Sequence, residues 1–456
     1  MTSNATAAWR ESDRRHHLHP FTDHKALGEQ GVRVITRADG VYLWDSEGNR
    51  LLDGMAGLWC VNLGYGRREL IDAASRQLEE LPYYNTFFQS ATPPAIELSA
   101  MLAEITPDGF NQVFFANSGS EANDTIVKMV RYYWNLMEKP AKKTIIGRDY
   151  GYHGVTMAAA SMSGLTPMHT PFDLPLPRFE RTAAPYWYKH GADLTPEEFG
   201  LATARALETK IKELGADNVA AFIGEPIMGA GGLIVPPDNY WPEIQRICRD
   251  NDILLIADEV ICGFGRTGEW FGSDTYGIKP DLMTMAKGLS SGYLPISAVM
   301  VHDRIADAIF ENGGEFVHGF TYSGHPVAAA VALENIRILR DEKIIEKVGA
   351  DSGPYLQARL RELADHPLVG EVRGVGLIAG IELVADKALR KSFEPEGRAG
   401  VLCRDACMSR GVIVRATRDV IVMSPPLIIT RGEIDELVDA IAKSLDETAA
   451  AMAMAA

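Results

Sequence analysis

Cysteine is scarce in this chain, because 456 residues contain only five and no two of them form a CxxC pair. Their positions are Cys60, Cys248, Cys262, Cys403 and Cys407. An odd number of widely spaced cysteines excludes a disulfide scaffold and is typical of a reducing compartment. The first residues also lack the basic and apolar stretches of a secretory leader, so we expect a cytoplasmic protein.

The sequence also lacks the features that two classes of partner require. No apolar run approaches the roughly 20 residues of a membrane-spanning helix, so no membrane is expected as a partner. Basic residues are in the minority, 45 Lys and Arg against 61 Asp and Glu, which gives a formal net charge of -16. Nucleic acids bind clustered lysines and arginines, so no nucleic-acid partner is expected either. With 46% hydrophobic residues, the chain can bury a large core divided over two or more lobes.

Metal ligands are sparse as well. Three histidines lie close together at His16, His17 and His19, but no cysteine or acidic partner stands at ligand spacing, so we expect no metal site. No internal repeat is evident. Low complexity is confined to residues 449–456, a tail that we expect to fray.

The patterns that are present predict an α/β fold. Between Arg33 and Asp53, alternating apolar residues and Gly-containing turns predict a small antiparallel sheet. After Pro93-Pro94, a strand at 112–116, a Gly-containing turn and a helix at 121–136 form a first βα unit. Further strands are predicted at 143–147, 219–224, 253–258, 282–286 and 296–301. Strands that alternate with helical stretches favour a mostly parallel sheet.

The C-terminal part predicts a second, smaller unit. Helical periodicity predicts helices at 326–341 and 431–448, and the strands between them are predicted at 373–384, 412–415 and 421–423. Glycines at 374–380 resemble a dinucleotide-binding loop, but the third glycine of that motif is missing. We therefore interpret this segment as a strand that contains glycines.

The most informative pair of residues is Asp258 and Lys287. Asp258 ends a strongly apolar strand, where open α/β sheets bind their ligands, and Lys287 lies in a Gly-flanked loop after the next strand. Pyridoxal phosphate (PLP) needs a lysine as its resting covalent partner and a carboxylate opposite its ring nitrogen. Taken singly, the aspartate could cap a helix and the lysine could lie in a solvated loop. The combination predicts a PLP enzyme.

Other residues could bind the remaining parts of such a cofactor. The turn that contains Gly119 and Ser120 lies between a strand and a helix, which suits a phosphate, although an ordinary N-cap is the alternative. Tyr152 could stack on the ring or belong to the core. Glu225 could organise polar groups around the ring hydroxyl or act as a structural cap. Thr321, next to Phe320, offers a hydroxyl for phosphate.

Together these motifs resemble the class III PLP-dependent aminotransferases of fold type I. The resemblance runs from about Trp44 to about Pro426 and rests on five motifs in order. They are residues 117–123 (Asn-Ser-Gly-Ser-Glu-Ala-Asn), Tyr152-His153-Gly154, Glu225-Pro226, residues 256–268 and Lys287-Gly288. The resemblance implies a large PLP-binding domain at 61–325 with a seven-stranded, mostly parallel sheet flanked by helices. It also implies a small α+β domain built from both chain ends, 1–60 and 326–456.

The resemblance also assigns roles to individual residues. Lys287 would carry the cofactor and Asp258 would pair with its ring nitrogen. Tyr152 and Val260 would enclose the ring, and Gly119 with Ser120 would bind the phosphate. Phe320 and Thr321 would reach the phosphate of a neighbouring subunit. The active site would then be shared within a homodimer or tetramer, and a monomer would be inactive.

Within the class, residues 57–62 and 81–88 look like the ω-amine:pyruvate transaminases, closest to the putrescine or polyamine branch. By that likeness Trp59, Phe21 and Phe87 form an aromatic amine pocket, one of them from the partner subunit. Arg415 matches the mobile arginine that binds the pyruvate carboxylate, with nearby Arg418 as the alternative. The implied reaction is ping-pong: an amine becomes an aldehyde, and pyruvate becomes alanine.

Three alternatives stay open at this point. The donor could carry its own acid group, which is a carboxylate in 4-aminobutyrate and β-alanine and a sulfonate in taurine. The same fold could support an aminomutase or a decarboxylase. A binding or regulatory protein could also keep a PLP site without turnover. Assays of amines against amino acids, and of alanine formation, separate these functions.

Overall fold

Three β-sheets organise the chain, for which a computed structural model describes residues 3–454. Its strands are β1 (Ile35–Asp39), β2 (Tyr42–Asp45), β3 (Arg50–Asp53), β4 (Gln112–Ala116), β5 (Thr144–Arg148), β6 (Phe179–Thr182), β7 (Val219–Gly224), β8 (Leu254–Asp258), β9 (Leu282–Met285), β10 (Ser297–Val301), β11 (Val369–Val375), β12 (Ile378–Leu383), β13 (Val412–Ile413), β14 (Arg415–Thr417) and β15 (Val420–Met423).

The helices are α1 (Ser3–His16), α2 (His24–Gln30), α3 (Ala56–Trp59), α4 (Arg68–Glu80), α5 (Pro93–Ile105), α6 (Gly119–Leu136), α7 (Met157–Met162), α8 (Trp187–His190), α9 (Pro196–Leu214), α10 (Tyr240–Asp250), α11 (Gly272–Tyr276), α12 (Asp303–Asn312), α13 (Pro326–Asp341), α14 (Ile344–Lys347), α15 (Gly353–Arg361), α16 (Arg398–Ser409) and α17 (Arg431–Ala453). Short 3₁₀ turns lie at Thr166–Met168, Thr170–Phe172, Ala216–Asn218, Lys287–Ser290 and Glu362–Asp365, and a π turn lies at Val348–Ser352.

The largest sheet has seven strands in the order β4-β10-β9-β8-β7-β5-β6. Only β10 runs against the others, because it pairs antiparallel with both β4 and β9 while the remaining pairs are parallel. Strands β5, β7, β8, β9 and β10 are buried along their whole length, as expected for a sheet covered by helices on both faces. The predicted α/β class with a mostly parallel sheet is therefore confirmed.

The edge strand β6 was not predicted from the residue pattern. Its sequence, Phe-Glu-Arg-Thr, has one large apolar residue and two half-buried charged ones in the middle. A strand at the edge of a sheet needs less apolar surface than a central one, so periodicity does not reveal it.

The two small sheets correct two of the predictions. The predicted strand at 412–415 divides: β13 joins β3 in the order β1-β2-β3-β13, whereas Arg415 begins β14 in the order β11-β12-β15-β14. The predicted strand at 373–384 is a hairpin of β11 and β12. Gly376 turns it with φ +55°, and a Cβ there would lie 2.6 Å from the Arg266 carbonyl oxygen. Through β3 and β13 the two chain ends share one sheet.

The C-terminal helix is longer than the sequence indicates. Helix α17 continues through the Ala-rich segment to Ala453, where fraying was expected, and residues 455–456 of that tail lie outside the described residues. The start of the sequence at Met1-Thr2 also lies outside them. Within residues 3–454, no helix is both long and apolar enough to cross a membrane.

Candidate active site

A cavity of about 880 Å³ lies where the central parallel strands end, a size within the usual range of ligand pockets. It is lined by ten of the thirteen residues that the sequence predicts for the site. They are Phe21, Trp59, Gly119, Ser120, Tyr152, Glu225, Asp258, Val260, Lys287 and Arg415. The three predicted residues outside its lining are Phe87, Phe320 and Thr321.

The N-terminus of α6 forms one end of this cavity. The Ser118 side chain accepts a hydrogen bond from the Glu121 N–H at 3.2 Å, so the N-cap interpretation is correct for Ser118. The following N–H groups of Gly119 and Ser120 belong to the first turn, whose donors have no partner within the helix and attract anions. A Cβ at Gly119 would lie 3.0 Å from a methyl group of Val260, which leaves little room for any other residue.

The carboxylate of Asp258 is buried at the end of β8 and is fully hydrogen-bonded. One oxygen contacts His153 Nδ1 at 2.8 Å and accepts from Asn123 Nδ2 at 3.0 Å. The other accepts from the Val260 N–H at 3.2 Å. Burying an unpaired carboxylate is costly, so these contacts allow Asp258 to be buried at this position. The aspartate is therefore ready to face a cationic group in the cavity.

The residues that hold Asp258 were missed by sequence reasoning. Asn123 donates to both Asp258 and the His153 carbonyl, and its Oδ1 accepts from Thr284 Oγ1 at 2.6 Å. A signal was present, because Asn123 is a polar residue on the face of α6 that covers the sheet and Thr284 interrupts an apolar strand. Both side chains are fully buried. Neither observation alone identifies the partner.

Lys287 lies opposite, in a left-handed backbone conformation with φ +48° that begins the 3₁₀ turn. Its Nζ lies 5.1 Å from the centre of the Trp59 ring. Burial lowers the pKa of Lys287 to about 8, although the nearby Asp258 carboxylate acts in the opposite direction. An amine with this pKa is partly neutral near physiological pH, as both imine formation and proton transfer require.

Glu225 supports the cavity wall. Its carboxylate accepts from the N–H of Tyr152 at 3.1 Å and from that of Gly229 at 2.9 Å. Burial raises the pKa of Glu225, while His153 and Arg148 act to lower it. Both oxygens therefore accept hydrogen bonds from backbone N–H groups, which favours the interpretation of Glu225 as a structural cap, although it also lines the cavity.

The structure distinguishes between the two candidate arginines. The guanidinium carbon of Arg415 lies 4.9 Å from the centre of the Trp59 ring, and among residues 3–454 the side chain has no hydrogen-bond or ion-pair partner. Burial lowers the pKa of Arg415. By contrast, Arg418 donates to the Gly231 carbonyl at 2.7 Å and stacks over Tyr150, outside the cavity lining.

The three predicted residues outside the cavity lie together. The hydroxyl of Tyr83 donates to the Thr321 carbonyl at 2.7 Å, and the Thr86 hydroxyl donates to the Ser323 carbonyl at 3.1 Å. A Cβ added at Gly319, just before Phe320, would lie 2.7 Å from the Phe87 ring. The loops at 83–88 and 319–323 thus form one surface, which we name the aromatic loop surface.

The histidine group near the N-terminus corrects another expectation. Asp13, one helical turn before His17, is the acidic partner that the sequence was said to lack. Its carboxylate contacts His17 Nδ1 at 3.2 Å and His19 Nε2 at 2.9 Å, and the three ligand atoms lie within 4.8 Å of one another. Asp13 lies on α1 and His17 directly follows this helix, and their separation of i and i+4 is the spacing that sequence reasoning overlooked.

The residues around the cavity fit one cofactor. A buried lysine of lowered pKa, a hydrogen-bonded carboxylate and the N-terminus of an 18-residue helix converge on a space lined by Val260 and Tyr152. These groups match the aldehyde, the ring nitrogen and the phosphate of PLP. The fold and the site therefore define a PLP-dependent enzyme of fold type I.

Comparison with known proteins gives the family. The chain matches the family Aminotransferase class-III over residues 26–445, and it belongs to that family of PLP-dependent transaminases. It is 59% identical to the putrescine–pyruvate aminotransferase of Pseudomonas aeruginosa over 99% of both chains. It is 45% identical to the mitochondrial gamma aminobutyrate transaminase 1 of Solanum lycopersicum, over 94% of this chain and 84% of the relative.

Solved structures agree with this assignment. The omega transaminase from Pseudomonas jessenii in complex with PMP superposes with a TM-score of 0.95. Its sequence is 46% identical, and the match covers 96% of this chain and 98% of that one. An (S)-enantioselective omega-transaminase from Thermomicrobium roseum is 48% identical with a TM-score of 0.94, over 97% of this chain and 98% of that one.

Proposed function

We propose that this enzyme transfers the amino group of a primary amine, putrescine or a related polyamine, to pyruvate. The products are an aldehyde and L-alanine. The observation that carries the proposal is Arg415, a cation that faces the cavity beside Trp59 and has no partner among the described residues. It can bind the one carboxylate of pyruvate, while an amine donor has none. The relative with 59% identity is named for the same pair of substrates.

Lys287 and Asp258 have separate roles in this reaction. When bound, PLP supplies an aldehyde and a ring that withdraws electrons from the substrate carbon. Lys287 Nζ, neutral in part at physiological pH, would take the proton from the amine-bearing carbon of the donor and pass it to the aldehyde carbon of the cofactor in the same half-reaction. With pyruvate it would move a proton in the opposite direction. The Asp258 carboxylate, held in place by His153 and Asn123, would pair with the ring nitrogen. Val260 and Tyr152 help to exclude water from the cavity.

Replacing Arg415 with leucine is expected to raise the KM for pyruvate by about 10- to 100-fold, because one charge-assisted pair contributes roughly 1.5–3 kcal/mol. The KM for putrescine is expected to stay within about three-fold of the wild-type value, since the amine places no carboxylate there. Steady-state kinetics with each substrate varied in turn measures both effects.

Arg418→Leu is the matched control. This arginine supports the Gly231 loop from outside the cavity, so we expect a lower melting temperature and little change in the pyruvate KM. If Arg418→Leu rather than Arg415→Leu raised the pyruvate KM, our assignment of the carboxylate-binding arginine would be wrong.

The donor is the part of the proposal that an assay panel tests. Alanine formation from pyruvate would be measured with putrescine, 4-aminobutyrate, β-alanine and taurine at equal concentrations. We expect putrescine to give the highest kcat/KM. A higher kcat/KM for 4-aminobutyrate would mean that the donor is an ω-amino acid and not a simple amine. This is the alternative that the relative at 45% identity represents.

We also propose that the enzyme is a homodimer, or a tetramer of such dimers, in which the aromatic loop surface completes the partner's active site. This surface and its surroundings expose large apolar side chains, which monomeric proteins seldom leave in contact with water. Among them are Tyr84 at 51%, Phe88 at 89%, Val317 at 79% and Tyr322 at 59% exposure. In this arrangement Phe320 and Thr321 approach the phosphate of the neighbouring subunit and Phe87 enters its amine pocket.

Mixed dimers test the shared site. Lys287→Ala subunits lack the lysine, and Thr321→Asp subunits would repel the neighbour's phosphate, so we expect each homodimer to be almost inactive. After dissociation and reassociation of an equal mixture, half of the molecules are mixed dimers with one intact site. Activity should then recover to about a quarter of the wild-type value. A mixture no more active than its parts would contradict the sharing of residues.

The remaining proposals concern the cellular compartment and the domain organisation of the enzyme. All five cysteines lie within the described residues and are free, which supports a reducing compartment such as the cytoplasm. The pairing of β3 with β13 supports a small domain made from residues 1–60 and 326–456, with the PLP-binding domain at 61–325.

A further inference from the structure

The entrance of the cavity is formed in part by a strap of residues 17–23 that joins α1 to α2. Pro20 and Phe21, at the centre of the strap, line the cavity. Phe21 has a left-handed backbone conformation with φ +49°, which is unfavourable for a bulky residue and persists only where neighbouring structure holds it. We name these two residues the lip.

Within one subunit, hydrophobic burial contributes little to holding the strap in this conformation. The side chain of Leu18 is 83% exposed and that of Phe21 is 76% exposed in the single chain. The contacts that remain are polar. The Thr22 hydroxyl donates to the Pro20 carbonyl at 2.8 Å, and Asp23 caps α2 by accepting from the Lys25 and Ala26 N–H groups.

The polar contact before the lip is the pair of Asp13 and His19. His19 Nε2 lies 3.0 and 2.9 Å from the two oxygens of the Asp13 carboxylate, and both side chains are about four-fifths buried. Asp13 is fixed in turn because α1 is attached to the body of the protein. Arg10 of the same helix donates to the Val32 carbonyl and pairs with Glu47, both at 3.0 Å.

We propose that Asp13 and His19 are positioning residues that fix the lip and thereby set the affinity of the cavity for bulky amines. This rests on the proposed function, since it takes the cavity as the amine site. His19 is only two residues from Phe21, so breaking its contact releases the lip while Lys287 and Asp258 keep their surroundings. The effect then falls on substrates large enough to touch Phe21 and spares pyruvate.

Kinetics of Asp13→Ala and His19→Ala test the proposal with 1-phenylethylamine as the bulky donor and putrescine as the slender one. We expect the KM for 1-phenylethylamine to rise about ten-fold in both variants, the loss expected for one aromatic contact with substrate. The pyruvate KM and kcat should stay within about two-fold of the wild-type values. The double variant should be no worse than either single one, because both remove the same contact.

Two further variants separate positioning from general damage to the fold. His19→Gln keeps an N–H donor at about the position of Nε2 and should restore most of the affinity for 1-phenylethylamine. Glu11→Ala removes the ion pairs of Arg14 and Arg15 on the same helix without touching the strap, and should have no effect. An unchanged KM in both Asp13→Ala and His19→Ala, or an equal loss in Glu11→Ala, would overturn the proposal.

Hydrogen–deuterium exchange gives a readout that does not depend on turnover. Amides of residues 17–23 should exchange about ten-fold faster in His19→Ala, while peptides that contain Lys287 exchange as in the wild type. Unchanged exchange of the strap would contradict the positioning role of Asp13 and His19 whether or not the enzyme uses amines. A failure of this role is therefore distinguishable from a failure of the proposed function. If wild-type enzyme treated with EDTA matched His19→Ala, a cation on Asp13, His17 and His19 would hold the lip, and the hydrogen-bond proposal would be wrong.

Discussion

Replacing Lys287 with alanine is expected to lower kcat/KM for amine transfer by at least about 10⁴-fold, the largest loss for any single residue of this enzyme. Proton transfer by a placed side chain accounts for roughly 10²–10⁴ of that factor, and the covalent partner of the cofactor is lost as well. The phosphate end of the site, at Gly119 and Ser120, is untouched. We therefore expect the variant to retain bound PLP, as measured by its absorbance after gel filtration, without transaminating.

The pH dependence of the wild-type enzyme offers an independent check on Lys287. The neutral amine is the active form, and burial lowers its pKa from 10.5 to about 8. Below that pKa the neutral fraction falls about ten-fold per pH unit, and above it the fraction is nearly constant. Single-turnover rates with putrescine should therefore rise with pH and level off near 8. Normal turnover by Lys287→Ala would overturn the whole assignment.

The second largest effect is expected for Asp258→Asn. Asparagine has nearly the same shape but no charge to stabilise a protonated ring nitrogen, so kcat should fall by about 10²–10³-fold, or roughly 3–4 kcal/mol. The same network explains why the loss is specific. His153 and Asn123 hold the Asp258 carboxylate from behind, and their other contacts keep α6 and the loop after β5 in place.

Matched variants separate charge from position in this network. Thr284→Val removes the hydroxyl that orients Asn123 and keeps the shape of the side chain, so we expect a loss of no more than about ten-fold in kcat. Pre-steady-state kinetics of the amine half-reaction measures the rate of both variants, Asp258→Asn and Thr284→Val, without interference from product release. A rate for Asp258→Asn equal to that of the wild type would disprove the role of this carboxylate at the ring nitrogen.

Sequence reasoning predicted those cavity residues whose signals are local. Asp258 ends an apolar strand, Lys287 lies in a Gly-flanked loop, and Gly119 and Ser120 begin a helix, so each could be recognised from its neighbours. The network behind Asp258 is not local: Asn123 lies on α6 and Thr284 on β9, 161 residues apart. Which buried polar residue meets which other one is decided by strand order, and that order is set by tertiary packing.

The fold shows the same division. The central strands were predictable because burial on both faces demands continuous apolar residues. Strand β6 at the edge carries too little apolar surface to be recognised from its sequence. The partition of residues 412–417 between two sheets depends on the β3 backbone, more than 350 residues away along the chain, and no local pattern reports it. The Asp13–His19 contact was missed because a helix had to be placed before the spacing had meaning.

The most direct test of the proposed reaction is the absorption spectrum of the purified enzyme, recorded first alone, then with putrescine and finally with pyruvate. We predict that putrescine removes the visible band of the bound cofactor in the absence of pyruvate. Pyruvate should then restore the band and yield one alanine per active site. A band that is unaffected by putrescine but is removed by 4-aminobutyrate or β-alanine would contradict the amine donor while leaving the transaminase in place.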